Sequence, residues 1–316
     1  MKLYLSEQDV LACLPMPKAV ELIDNAFREL ADGTTINHPR RRVILPTGSV
    51  LHYMAAGTPN YFGLKAYSVN AKTGAHFEVL LYRSSDGLPL ATFEANYLGQ
   101  IRTGAASGVA TKYLAREDAS VAAIIGSGFQ AETQLEAVAN VRELREVRVW
   151  SRKAERRAAF AERCAEKFHL SVKASATARE CVEGADIVVT ATSSRQPVIE
   201  SAWISPGTHI NAAGSNWAER RELPTELICD RGALITVDSV EVGKIESGDL
   251  LIPQRERGLA SLPAVELCGI VAGKQAGRAN ADQITIFKSN GLAAEDIAVA
   301  GYIYEEALRR NLGQRR

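Results

Sequence analysis

Three cations stand where a folded chain seldom leaves them. Lys65 interrupts the apolar run Gly63 to Val69, and Arg102 sits among the small residues Gly104, Ala105, Ala106, Ser107, Gly108 and Ala110. Arg42 opens a strand-like stretch directly behind Arg40 and Arg41. A buried guanidinium needs an anion beside it. Arginine grips a carboxylate through two parallel N–H bonds and lysine adds a point charge. Together the three could orient an α-imino or α-amino acid by its carboxylate. The competing reading of each is a surface residue or one half of an internal ion pair.

A second constellation is Val121-Ala122-Ala123-Ile124-Ile125-Gly126-Ser127-Gly128-Phe129-Gln130-Ala131. It reads as an apolar strand, a G-x-G-x-x-A turn and the start of a helix. Gly126 suits the tight turn, Gly128 lets backbone approach a pyrophosphate, and Ala131 keeps the helix near the strand. The helix start offers N–H groups and a positive dipole end to phosphates. Gly126, Ser127, Gly128, Phe129, Gln130 and Ala131 are therefore assigned to a dinucleotide. Where NAD-binding chains usually carry an acid, the next strand ends Val149-Trp150-Ser151-Arg152-Lys153. A hydroxyl and two cations suit a 2′-phosphate, so Ser151 and Arg152 favour NADP(H), with NAD(H) left open. Thr192, Asn211 and Ala213 lie at the ends of later strands, where open α/β sheets bind ligands, and are assigned to the same cofactor. Capping of the following turns is the plainer alternative for such small polar residues.

The elements that must position these residues change in type along the chain. Ser6 and Asp9 open a helix over 6–31 that Pro15 and Pro17 interrupt and Gly33 ends. Residues 41–95 read as an antiparallel meander, with Ser85-Asp86-Gly87 as a hairpin turn and no room for crossover helices. Asn96 to Ala115 reads as a helix whose small residues allow close backbone approach. From about 119 strands alternate with helices, which predicts a parallel, doubly wound sheet. The segment Ala294 to Arg310 is a helix again. The expected class is α/β, a Rossmann-type domain plus an α+β domain.

Composition narrows the function further. The 316 residues carry 37 Lys+Arg and 37 Asp+Glu, so nothing favours nucleic acid or an anionic membrane as partner. No apolar run is long enough to span a bilayer. Five scattered cysteines without a C-x-x-C argue against a disulfide framework or a structural metal and for a reducing cytoplasm.

In order along the chain come Arg42-Val43-Ile44-Leu45-Pro46, Gly63-Leu64-Lys65, Ile101-Arg102-Thr103-Gly104-Ala105-Ala106-Ser107, Ala110-Thr111-Lys112-Tyr113-Leu114, the glycine turn, and Phe287-Lys288-Ser289-Asn290-Gly291 with Glu295-Asp296. With these segments the chain resembles the ornithine cyclodeaminase/mu-crystallin family over nearly its whole length. The resemblance implies a substrate-binding and dimerisation domain from 1–115 plus 292–316 and an NAD(P)-binding Rossmann domain over 116–291. Members are typically homodimers whose sheets meet across the two-fold axis. It places Arg42, Lys65 and Arg102 on substrate-carboxylate positions and Asn290 and Gly291 beside the nicotinamide, so that Ser289 and Asn290 are assigned to the cofactor and Gly291 to the substrate.

One departure bears on the reaction. The resemblance puts Asn216 where ornithine cyclodeaminases carry an acid–base aspartate. An amide can orient an amino group but cannot exchange a proton near pH 7. Lys65 is then the best proton donor, with Glu219 second; His52 and His76 are not assigned roles. The expected activity is NAD(P)H-dependent reduction of an α-imino acid to an L-amino acid, or the reverse. The alternatives are conversion of ornithine to proline and ammonia with NAD recycled, and an NADPH-dependent binding protein for a small carboxylate.

Overall fold

Ser6 accepts from the Asp9 amide while Asp9 accepts from the Ser6 amide, a capping box that starts the helix Glu7–Cys13. Pro15 and Pro17 then mark a break, and a second helix, Met16–Ala31, buries Val20, Ile23 and Phe27 on one face. The computed structural model describes residues 2–316, which divide into two units: residues 2–102 with Gly291–Arg316, and Thr103–Asn290. The seam differs from the expected 115/116. It falls inside the helix Asn96–Leu114, because the earlier turns of that helix pack with the first unit and the later turns with the second.

The first unit is built on an eight-stranded sheet. Val50–Gly57, Tyr61–Asn70, Gly74–Arg83 and Pro89–Glu94 form the expected antiparallel meander. Arg41–Ile44 and Ile36–Asn37 both pair with Val50–Gly57. Leu3–Leu5 adds a parallel strand at the other side, and Gln314–Arg315 pairs beyond it. These short edge strands carry too few residues to show a period in the sequence. The inner face lies under the helix Ala293–Arg310, whose Ile297, Val299, Ala300 and Ile303 are buried. Gly63 permits this approach, because a Cβ there would come 2.1 Å from the Leu80 carbonyl and 2.9 Å from Ile297.

The second unit is an all-parallel sheet of eight strands. The chain winds outward from Val121–Ile125 through Glu146–Trp150 to Val172–Ala174. It then returns and winds the other way through Ile187–Thr190 and His209–Ala212. Its direction therefore reverses between Val121–Ile125 and Ile187–Thr190, the switch point where such sheets take ligands. Both faces are covered: Val121, Ala123 and Ile125 enter one apolar cluster, Ala122 and Ile124 the other. Thr285–Lys288 was not legible as a strand; it inserts between His209–Ala212 and Leu234–Val237. Among the described residues no helix is long and apolar enough to cross a membrane.

Candidate active site

Strand register sets the cations of the first unit. On the inner face Arg42 pairs with His52, His52 with Tyr67, and Tyr67 with Phe77. One step along, Met54 pairs with Lys65 and Lys65 with Val79. The two rows are thus about 7 Å apart. His52, Tyr67 and Phe77 stack as a ladder, with ring centroids 4.3 and 4.8 Å apart. Lys65 is buried and its Nζ lies 2.8 Å from Asp296 Oδ1. The buried Arg102 donates from Nε to the same oxygen at 2.9 Å and from Nη1 to Glu295 Oε2 at 2.7 Å. Arg40 is buried too and reaches the Gly291 carbonyl at 3.3 Å.

Two glycines make room for this cluster. A Cβ on Gly99 would lie 2.7 Å from Lys65 Nζ. One on Gly291, whose φ is +82°, would lie 2.5 Å from Arg102 Nη1. The carboxylates answer the competing reading for Lys65 and Arg102, since both cations are internally paired. Two more cations stand close by: Arg40 lies near Lys65, and Arg42 and Arg40 both lie near His52. The electrostatics follow. Burial pushes the Lys65 ammonium down to about 8, against the pull of Asp296, and Arg102 and Arg40 push the same way. Burial, then Arg42 and Arg40, hold His52 down at about 4 and therefore neutral near pH 7. For Arg102 burial alone would lower the pKa, but Asp296 and Glu295 override it and raise it.

The glycine turn of the second unit has the form a dinucleotide requires. Gly126 has φ +122°, and a Cβ there would lie 2.5 Å from the Ala191 carbonyl. Gly128 caps the helix Phe129–Val141 without a side-chain hydrogen bond, and a Cβ on it would meet nothing within 4 Å. The open side of the turn is the space a pyrophosphate needs. Gly104 brings the neighbouring helix close, since its Cβ would lie 2.4 Å from the Thr133 carbonyl. A cleft of about 790 Å³ gathers Gly126, Ser127, Gly128, Ser151, Arg152 and Thr192, with Lys153 and Arg156 beside them. Ser127 donates to Ser151 at 2.8 Å. These residues fit a dinucleotide, with exposed cations at the end of the second strand.

Other assigned residues lie elsewhere. Phe129, Gln130, Ala131, Ala213, Ser289 and Asn290 do not line that cleft. Asn211 is fully buried, and its amide donates to Thr111 at 2.9 Å while its carbonyl lies 3.2 Å from His209 Nε2. That side chain is structural. Burial holds His209 down at about 3. Asn216 is half-buried on the loop after His209–Ala212, while Glu219 is exposed and His76 is exposed in the first unit. Sequence reading missed the roles of Glu295, Asp296 and Arg40. Two acids at a helix start read equally well as dipole partners, and only the fold brings Asp296 to Lys65.

The family model for ornithine cyclodeaminase/mu-crystallin proteins matches residues 1–311. The chain belongs to the ornithine cyclodeaminase/mu-crystallin family. A Delta(1)-pyrroline-2-carboxylate reductase of Bacillus cereus is 45% identical to this family member over 239 residues, 75% of this chain and 73% of that one. Among solved structures, the Delta(1)-pyrroline-2-carboxylate reductase of Thermococcus litoralis, in complex with NADH and L-proline, matches with a TM-score of 0.94 at 37% identity. The match covers 99% of this chain and 100% of that one. An archaeal alanine dehydrogenase dimer with bound NAD matches with a TM-score of 0.91 at 32% identity, covering 99% and 98%. The α/β class with a Rossmann-type sheet is thereby shared with these two structures.

Proposed function

We propose that this chain reduces the C=N bond of a small α-imino acid to the L-amino acid, with NADPH as its preferred hydride donor. It is an NAD(P)-dependent oxidoreductase acting on imine bonds, and the reverse reaction oxidises an L-amino acid. The observation that carries the substrate class is the gathering of four cations in the first unit: Arg102 shares Asp296 with Lys65, Arg40 lies near Lys65, and Arg42 and Arg40 both lie near His52. Pyrroline-2-carboxylate and alanine, named for the relatives, both carry a carboxylate on the carbon that bears nitrogen.

The dinucleotide, when bound, supplies the hydride to that carbon. Arg42 and Arg102 hold the carboxylate, with Gly291 leaving space for the Arg102 fork. The nitrogen gains a proton as the carbon gains the hydride, and Lys65 Nζ gives it up. Asp296 keeps Lys65 in place. Asn216 orients the nitrogen without exchanging a proton, which argues against ornithine cyclisation. Gly126, Ser127 and Gly128 line the space for the pyrophosphate, Phe129, Gln130 and Ala131 present the start of the following helix to it, and Thr192 borders it. Ser151 and Arg152, with Lys153 and Arg156, take the 2′-phosphate; Glu200 is the one acid among the residues lining that cleft. Ala213, Ser289 and Asn290 remain proposed nicotinamide-side contacts. The first unit is the substrate-binding and dimerisation domain, the second the NAD(P) domain. The five cysteines, none in a disulfide, suit the cytoplasm.

The test follows NADPH and NADH oxidation over 2-oxo acids with ammonia or methylamine, alongside pyrroline- and piperideine-2-carboxylate. Turnover of imino acids with a higher kcat/KM for NADPH is expected. Ammonia and proline from ornithine alone, with no net NADH, would replace this reading with cyclisation. Saturable cofactor-dependent ligand binding without turnover would replace it with a carrier.

A further inference from the structure

Glu222 lies outside every motif above, yet it is fully buried beneath the loops that follow two central strands of the second unit. Its Oε1 accepts from the Thr192 amide at 2.7 Å. Its Oε2 accepts from the Gly214 amide at 2.8 Å and from the Thr190 hydroxyl at 2.9 Å. One carboxylate therefore ties the end of Ile187–Thr190 to the end of His209–Ala212. Gly214 admits no substitute: a Cβ there would lie 2.4 Å from Glu222 Oε1 and 2.4 Å from both Thr192 N and O.

The clamp is itself held. Asp249 Oδ1 accepts from the Glu222 and Leu223 amides at 2.7 and 2.9 Å. Asp249 Oδ2 lies 3.2 Å from Lys288 Nζ, and Lys288 donates to the carbonyls of Ala212 and Ser215 at 3.2 and 2.5 Å. The network reaches the glycine turn through one further contact. Thr192 borders the dinucleotide cleft, and its neighbour Ala191 presents the carbonyl that a Gly126 Cβ would strike at 2.5 Å. Where Glu222 places Thr192, the far wall of the turn follows. Two of the three groups that meet the Glu222 carboxylate are backbone N–H donors, which need an acceptor oxygen opposite each. Burial, with Asp249, raises its pKa, and Lys288 opposes them.

We propose that Glu222 is a positioning residue for the dinucleotide: its carboxylate fixes the Thr192 and Gly214 loops in the shape that receives the cofactor, without touching it. This rests on the dinucleotide reading of the cleft. Glu222→Gln discriminates sharply. An amide keeps one acceptor oxygen, which can serve Gly214 and Thr190, but it turns an NH₂ toward the Thr192 N–H, donor against donor.

The experiment is direct NADPH binding by nicotinamide fluorescence, with steady-state kinetics, on wild type and Glu222→Gln. The expected result is a Kd raised about tenfold or more, the loss of one hydrogen bond to a charged group. The cofactor KM should rise with it, while kcat at saturating cofactor and the imino acid KM stay within about threefold. A merely structural role would lower Tm and leave Kd unchanged, and that result overturns the proposal. Wild type that binds no dinucleotide overturns the cleft reading instead. If the variant does not fold, hydrogen exchange on the wild type decides. Strong protection of the Thr192 and Gly214 amides is expected, and exchange at open-loop rates would sink the clamp.

Discussion

At Arg102, deletion and conservative change test different things. Arg102→Ala leaves Glu295 and Asp296 in the interior without the fork that joins them, a cost of about 3–5 kcal/mol for breaking a buried pair. Arg102→Lys keeps the charge and loses the planar fork. We expect Arg102→Lys to fold, to bind NADPH like wild type, and to lose about 10- to 100-fold in kcat/KM for the imino acid. Unchanged turnover would remove Arg102 from the carboxylate grip. Lys65 makes a pH prediction. Its proton is present below about 8 and gone above it, so imine reduction should fall as pH rises through about 8. Amino acid oxidation should rise over the same window. Lys65→Met should remove that limb and cost about 100-fold or more in kcat. The linkage sign is the reverse of a salt-bridge gain. Between about 8 and 10.5 the unfolded chain binds more protons at Lys65, so this residue's contribution to stability rises with pH there.

Among elements, the strand–turn–helix of residues 121–141 separates fold from binding at two glycines. Gly126→Ala forces a Cβ into the Ala191 carbonyl at a φ that alanine avoids. It should lower Tm and dinucleotide affinity together. Gly128→Ala meets no protein atom within 4 Å, so its Tm should match wild type while affinity falls at least about tenfold. Thermal melts and fluorescence titration of both variants check the pair. Equal affinity in Gly128→Ala would mean that the pyrophosphate does not cross the open side of the turn.

At the scale of the molecule, the first unit leaves large apolar side chains exposed on its sheet. Leu51, Tyr53 and Phe62 are exposed on the outer face of the antiparallel sheet, Val43 and Ile44 on its adjoining strand, and Phe62 stacks on Tyr82 at 5.4 Å. Large apolar side chains exposed on the same sheet mark it as a surface for a partner. A second copy meeting it across a two-fold axis would cover it. Sedimentation should give a dimer, and Leu51→Glu with Phe62→Glu should shift it to monomer with secondary structure intact. A wild-type monomer at all concentrations would overturn this.

Read without coordinates, the sequence determined the meander, the parallel alternation and the glycine turn. Each rests on local rules of period two, period 3.6 and the backbone freedom of glycine, which act over a few residues. It also marked Lys65 and Arg102, because a charge inside an apolar or small-residue run is a local anomaly. It did not give their partners. Asp296 is 231 residues from Lys65, and nothing in local pattern couples them. Lys288 carried a signal like that of Lys65, a cation within an apolar strand run, here at its end, and passed unread because that strand was itself unrecognised. Asn211 looked like a cofactor ligand from its place at a strand end; folding turned its amide inward to Thr111 and His209. Tertiary structure decided these matters, since ion pairs and buried hydrogen bonds depend on which strands lie side by side. That order is set by the packing of the whole chain rather than by any segment of it.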